Sequence, residues 1–349
     1  MSFWNQLKKP FFVMAPMADV TDVAFRALVA KCGAPDVFWT EFVAADGLYH
    51  TREIQKMPDS DNPLMRDLAI GEGQHPIVAQ IFSSKPEMVA YATKLVAELG
   101  FDGVDLNMGC PDRAIERQGC GAAMIKTPEI ARAVIRAAKE ASSLPVSVKT
   151  RVGYNKESLE EWLPVLLEEA PAAITVHLRT RKELSLVPAN WELMKKVVEI
   201  RNRINPDVLI IGNGDVTSVE LGTRLVEESG CDGAMIGRGM FGNPWVFADA
   251  QDVRFRKPHI QGISGHRMSS SEVGHPVSTH GLSEKLSALI ELAHNFEKIT
   301  PPKNFAVLKK HIKAFVTGFS GAAELRAKLM EASSAGELEK IIASCISLP

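Results

Sequence analysis

Asn107-Met108-Gly109-Cys110-Pro111 sets a thiol in a turn that glycine and proline shape from either side. Loop geometry there points the thiol toward open space rather than into packing. A thiol so placed suits a general acid that protonates a carbon centre. It also suits a nucleophile, although no obvious base stands beside it in sequence. Other polar groups recur wherever a short apolar run ends: Gln80, Lys149, Arg151, His177, Arg179 and Arg181. Two such runs end in glycine, as Asn213-Gly214-Asp215 and Gly237-Arg238-Gly239. Glycine lets backbone amides approach a phosphate closely, and Arg238 adds a bidentate cation. The alternative is that these glycines only permit tight turns. Buried lysine or histidine without partners is costly, so the convergence of cations points to an anionic ligand. Lys149 would stabilise negative charge that develops on such a ligand, with Gln80 as a hydrogen-bonding partner for it. A structural ion pair is the competing role for Lys149.

The elements that must position these groups are short β-branched runs alternating with amphipathic stretches. Strands are predicted at 11–16, 36–43, 76–82, 103–108, 145–151, 173–179, 208–214 and 233–239. Helices are predicted at 86–99, 128–142, 157–169, 190–202 and 217–229, with Pro128 in a first turn and Thr127 as its cap. Such alternation means βαβ units and a parallel sheet. About eight units in roughly 240 residues fit a (β/α)₈ TIM barrel, with its active site at the C-terminal strand ends. An open doubly wound sheet would carry a Gly-rich turn after its first strand, where this chain has Ala15-Pro16-Met17. The expected architecture is α/β: a barrel over 1–255, a Ser-, Gly- and His-rich linker or mobile loop over 256–282, and a small all-α domain over 283–349.

Composition narrows the classes. The 349 residues are 46% hydrophobic and 23% charged, ample for a large core. The N-terminus lacks a basic stretch followed by an apolar one, and no run approaches the ~20 apolar residues a membrane span needs. A cytoplasmic protein without a membrane segment is expected. Five scattered cysteines with no CxxC spacing argue against a disulfide framework or a zinc site. Cys32, Cys231 and Cys345 are assigned to packing, while Cys120 either packs at the start of the following helix or is a second reactive thiol. His259, His266, His275 and His280 lack tight metal spacing, and no metal is expected. Net charge is −2, yet seven cations between Lys298 and Lys328 face one acid, Glu324. That stretch is either a phosphate-binding surface or a solvated helix face.

Taken together, the residues 15–26 (APMADVTDVAFR), 40–48, 79–82, 102–111 (DGVDLNMGCP), 145–154, 174–181, 210–216 and 233–245 (GAMIGRGMFGNPW) resemble the tRNA-dihydrouridine synthase family, in its order and across the whole barrel. VLKKHIKAFVTGF resembles that family's C-terminal helical domain. After the Cys-Pro pair many members carry lysine, where this chain has Asp112-Arg113. The resemblance implies FMN, a reduced nicotinamide (NADPH or NADH) as reductant, and tRNA as substrate, with no obligate protein partner. It implies that Cys110 protonates the uracil ring while the flavin supplies hydride. Pro16, Met17, Ala18, Gln80, Lys149, His177, Asn213, Gly214, Asp215, Gly237 and Arg238 would hold FMN. Asn107 would hold the uracil, Arg179 the flavin phosphate or target nucleotide, and Lys309, Lys310 and Lys313 the tRNA. Two alternatives use the same residues: a small-molecule flavin reductase of the dihydroorotate or dihydropyrimidine dehydrogenase type, and an RNA-binding flavoprotein with a non-catalytic role.

Overall fold

The computed structural model describes residues 2–248 and 280–346. Eight strands form one parallel sheet: β1 (Phe11–Met14), β2 (Phe38–Ala44), β3 (Ile77–Phe82), β4 (Gly103–Met108), β5 (Val146–Arg151), β6 (Ala173–His177), β7 (Leu209–Asn213) and β8 (Gly233–Ile236). β1 pairs with β8 from Phe11↔Gly233 to Met14↔Ile236. The ring closes on its other side where Met14 N–H donates to Val37 O (3.0 Å) and Asp36 N–H donates to Phe12 O (2.8 Å). The sheet is therefore a closed barrel.

Helices α1 (Val23–Gly33), α2 (Pro86–Glu98), α3 (Pro128–Ala141), α4 (Leu159–Leu167), α5 (Glu192–Ile204) and α6 (Val219–Ser229) return the chain between strands. The β2–β3 crossover is made instead by two short helices, Ala45–Tyr49 and Pro63–Asp67. Proline occupies the first turn of α2 and α3, where its missing N–H leaves no bond unmade. Thr127 precedes α3, but its side chain caps nothing: with φ −133° and ψ 66° the backbone does not bring the hydroxyl to the first turn. That corrects the cap expected from sequence.

Strand alternation decides what fills the barrel. Toward the N-terminal end the interior is apolar, with Phe11, Val13, Val37, Trp39, Val78, Ala173, Ile211 and Met235 packed beneath Trp4. Two residues further along, the same inward faces turn polar. Gln80 lies opposite Asp105, Asn107 opposite Lys149, Arg151 opposite His177, and His177 opposite Asn213. An apolar plug thus forms the floor beneath a polar cup.

Four further helices follow: α7 (Leu282–Glu297), α8 (Lys309–Phe315), α9 (Ala322–Leu329) and α10 (Ala335–Ile346). The boundary predicted at 255, the linker through 279, and His259, His266 and His275 lie outside the described residues. His280 stacks on Trp245 with ring centroids 4.1 Å apart. The helical part packs on the barrel with α7 against α1, and Leu289, Leu292, Ile312 and Phe315 lie buried in one apolar cluster with barrel residues. His311 sits with its ring 4.6 Å from Phe25 and 6.2 Å from Phe241. Buried there, its imidazole is pushed down to about 4 and stays neutral.

Gly242 is a point of close backbone approach between the two parts. Its φ is +69°, and a Cβ there would lie 2.4 Å from Ala314 O. Gly242→Ala is expected to cost about 2–4 kcal/mol, from the left-handed backbone and overpacking combined. Urea unfolding monitored by tryptophan fluorescence measures it.

Candidate active site

At the C-terminal strand ends lies a cavity of about 530 Å³. Pro16, Met17, Gln80, Asn107, Cys110, Lys149, His177, Arg179, Asn213, Gly214, Asp215, Gly237 and Arg238 all line it. Phe42 of β2 joins them, so residues from all eight strand ends meet around one space. Ala18 lies just beyond the wall, exposed. Lys309, Lys310 and Lys313 are exposed on α8 and do not reach the cavity.

The thiol turn is built by Asn107. Its Oδ1 accepts from Gly109 N–H (3.2 Å) and Cys110 N–H (2.9 Å). Its Nδ2 donates to Gln80 Oε1 (3.0 Å), and Gln80 Nε2 donates to Asp105 Oδ2 (2.6 Å). Asp105 Oδ1 accepts from Ser147 Oγ (2.6 Å). Full burial pushes the Asp105 carboxyl up to about 6, against its hydrogen bonds to Gln80 and Ser147 and the charge of Lys149. This chain of amides and carboxyl orients the Gly109-Cys110 turn from below. Burial, and then Asp112, raise the Cys110 thiol above the ordinary thiol range, against a backbone hydrogen bond and the charges of Arg151 and Lys149. The thiol therefore keeps its proton at neutral pH, as a proton donor requires and a nucleophile does not.

Arg151 fastens the same turn. Its Nε donates to Gly109 O (2.7 Å) and its Nη1 to Thr180 O (3.1 Å) and Leu184 O (3.2 Å). The sequence marks Arg151 as a strand-end cation but does not reveal this clamp between the loops after β4 and β6.

Lys149 lines the cavity with no carboxylate in contact. Its Nζ donates to Asn213 Oδ1 (3.2 Å), and Asn213 Nδ2 donates to Met235 O (2.9 Å), which fixes the amide with its oxygen toward the lysine. Burial, helped by Arg151, lowers Lys149 to about 8. Among the described residues Lys149 forms no structural ion pair. His177 is held well below the usual imidazole range by burial and by Lys149, Arg151, Arg179 and Arg238. Its Nε2 lies 3.1 Å from Arg179 Nη1, which has only protons to give, so Nε2 accepts and Nδ1 carries the hydrogen.

Asp215 organises the phosphate side. It accepts from Arg179 Nη2 (2.5 Å), Arg238 Nη2 (2.5 Å) and Ala189 N–H (2.8 Å). Burial opposes its charge, but Arg179, the Ala189 N–H and Arg238 outweigh burial and hold the carboxyl below the ordinary range. Arg179 also donates to Val187 O (2.5 Å). Arg179 is therefore pinned inside the protein, whereas Arg238 remains 54% exposed. The cavity wall carries Lys149, Arg151, Arg179 and Arg238 against Asp215 alone, so its balance is cationic.

Asp105, Phe42 and Glu41 were not singled out from sequence. Asp105 had a detectable signal: it stands two residues before Asn107, on the inward face of β4. Glu41 had none, because a bulge between Trp39 and Phe42 breaks the alternation of β2. Among the described residues no cluster of His, Cys, Asp and Glu could hold a metal ion, and no helix is long and apolar enough to cross a membrane.

A closed parallel barrel that gathers titratable groups around one cleft at its C-terminal strand ends is the layout of a (β/α)₈-barrel enzyme. Residues 13–347 match the Dihydrouridine synthase (Dus) family. The chain belongs to that family. It is 37% identical over 342 residues to a "Probable tRNA-dihydrouridine synthase" of Staphylococcus aureus strain Mu50, covering 98% of this chain and 94% of that one. It is 38% identical to "Probable tRNA-dihydrouridine synthase 2" of Bacillus subtilis strain 168, covering 98% and 95%. Among solved structures, a histamine dehydrogenase from Rhizobium sp. 4-9 aligns with TM-score 0.52 at 15% identity, covering 70% of this chain and 46% of that one. A 2-naphthoyl-CoA reductase aligns with TM-score 0.54 at 10% identity, covering 69% and 50%. These two likenesses support the barrel fold.

Proposed function

We propose that this chain reduces selected uridines in tRNA to 5,6-dihydrouridine, with FMN as prosthetic group and NADPH or NADH as reductant. The observation that carries the reading is the Cys110 thiol on the same cavity wall as Lys149, whose Nζ is held by Asn213 Oδ1.

The residues present fit FMN. Four cations against one carboxylate suit a phosphate ester, and the cavity volume falls within the ordinary range of roughly 300–1,000 Å³ for ligand sites. Gly237 lines the cavity and, having no side chain, leaves its backbone bare to that space. The backbone N–H groups of Gly214, Asp215 and Gly237 together with the Arg238 guanidinium would hold the phosphate, while Arg179 keeps the Asp215 carboxylate neutralised. Gln80, Lys149, His177 and Asn213 would hold the ring edge, and Pro16, Met17 and Ala18 one wall. When bound, reduced FMN supplies hydride to a carbon–carbon double bond.

The chain's own groups do the rest. Asn107 keeps one Nδ2 hydrogen beyond its bond to Gln80, a donor for a uracil carbonyl. Cys110 Sγ–H gives its proton to the ring carbon beside the one that takes hydride. Lys149 balances negative charge on the ring system, and neutral His177 donates through Nδ1–H. A uridine inside folded RNA must leave its stack to reach the cavity. Lys309 and Lys313, exposed on α8, supply phosphate contacts for that RNA.

Two measurements test this. The purified protein is expected to take up FMN, turn yellow, and convert unmodified tRNA to dihydrouridine with a reduced nicotinamide, as read by nucleoside mass spectrometry. Efficient turnover of free uracil or orotate with no product on tRNA would overturn it in favour of a small-molecule reductase. The double variant Lys309→Ala/Lys313→Ala is expected to weaken tRNA binding and to reduce the log–log salt slope by roughly 2, one unit per lost phosphate contact. Filter binding across a salt series reads this.

A further inference from the structure

The basic stretch 298–328 is not one solvated face. Lys303, between α7 and α8, has a side chain only 5% exposed and crosses to the barrel. Its Nζ lies 2.5 Å from Glu41 Oε2, itself 5% exposed, and 3.3 Å from Asp67 Oδ1. The other oxygen, Glu41 Oε1, accepts from Asp19 N–H (2.5 Å) in the loop after β1. Lys310 takes the opposite side of that loop, donating to Asp19 Oδ2 (3.1 Å) and Ala18 O (3.4 Å). Asp19 has φ +56°, a left-handed backbone that a non-glycine residue keeps only when its surroundings hold it. Within the loop, Met17 N–H donates to Thr21 Oγ1 (3.0 Å) and Thr21 N–H to Met17 O (3.0 Å). Ala15, Pro16 and Met17 are the residues of this loop that wall the cavity.

We infer that Lys303 is a positioning residue: through Glu41 and Asp19 it holds the loop after β1 against the cofactor cavity, so the helical part completes the barrel's binding wall. The inference rests on the flavin reading above. A plain clamp between the two parts has no need of this arrangement. The apolar residues of α7 and α8 already dock them, and a buried ion pair adds little stability over apolar packing. What the pair adds is direction: one carboxylate oxygen faces the helical part and the other faces the loop.

The test uses the full chain with Lys303→Met, Glu41→Leu, the Lys303→Met/Glu41→Leu double variant, and Lys340→Ala as a control on exposed α10. Amide exchange over residues 15–22 is measured without FMN, and FMN affinity by fluorescence quenching. The expected result is faster exchange in that segment and about tenfold weaker FMN binding in each single variant. The double variant should be no worse than the weaker single, because the residues act in series. It leaves no unpaired buried charge, so it keeps the test open if a single variant fails to fold. Folded variants with wild-type exchange and wild-type affinity would reduce the pair to a domain clamp and overturn the inference. Faster exchange with unchanged affinity would also overturn it, by cutting the link to the cavity. A wild-type protein that binds no FMN while Lys303→Met still loosens the loop would instead sink the flavin reading and support the loop-holding role.

Discussion

Cys110→Ser is expected to keep FMN bound and to lower the rate of uridine reduction by about 10²-fold or more, the usual contribution of a general acid. The turn should survive the change, because Asn107 Oδ1 holds the Gly109 and Cys110 backbone N–H groups whatever the side chain. A serine hydroxyl fits the space but is a far weaker acid. Burial lifts the thiol above its ordinary range, so it is fully protonated through neutral pH. The rate should therefore stay flat across the neutral range and fall only on the alkaline side, as the thiol loses its proton. Single-turnover oxidation of reduced, tRNA-loaded enzyme isolates this step from nicotinamide binding. A serine variant as fast as wild type would remove Cys110 from the mechanism.

Lys149→Met is expected to weaken binding of reduced FMN by about 100-fold, near 3 kcal/mol, since it removes a poorly hydrated charge facing the negative charge that reduction places on the ring. Its pH signature is specific. In the FMN-free protein Lys149 loses its proton near pH 8, so affinity for the anion should weaken as pH rises above about 8. A bound anion raises the lysine's pKa, so binding near pH 8 takes up a proton, visible by calorimetry in buffers of different ionisation enthalpy. Stability follows the same linkage. The ordinary lysine value is 10.5 and the folded one about 8, so between these values the unfolded chain holds more protons and the FMN-free protein gains stability with rising pH. Below about 8 both states are protonated and this group's penalty is constant. Lys149→Met should lack both effects, and an unchanged pH profile of FMN affinity in that variant would exclude Lys149 as the anion's partner.

The contrast between these residues shows where sequence reasoning ran out. Sequence places Cys110, Lys149 and His177 at one cavity wall because each stands at the end of a short apolar run, and strand ends in a barrel converge. Asn107 was found, but not its bonds to the thiol turn. Arg238 was read as a phosphate ligand, and the structure shows it on Asp215 beside Arg179. Lys303 was counted in a basic patch, and the structure buries it.

Local rules reach as far as neighbouring residues do. The period of two along each strand, the first-turn prolines and the Gly-Cys-Pro turn are written within a few residues, so the sequence alone specified eight βα units, a polar rim and a thiol set on it. Pairings across the ring depend on which strands become neighbours, where a bulge such as that at Thr40-Glu41 turns a side chain, and how the helical part docks. The Lys303–Glu41 pair joins residues 262 positions apart, and no local period encodes such a meeting. It exists only once the barrel has closed and the helices have packed against it.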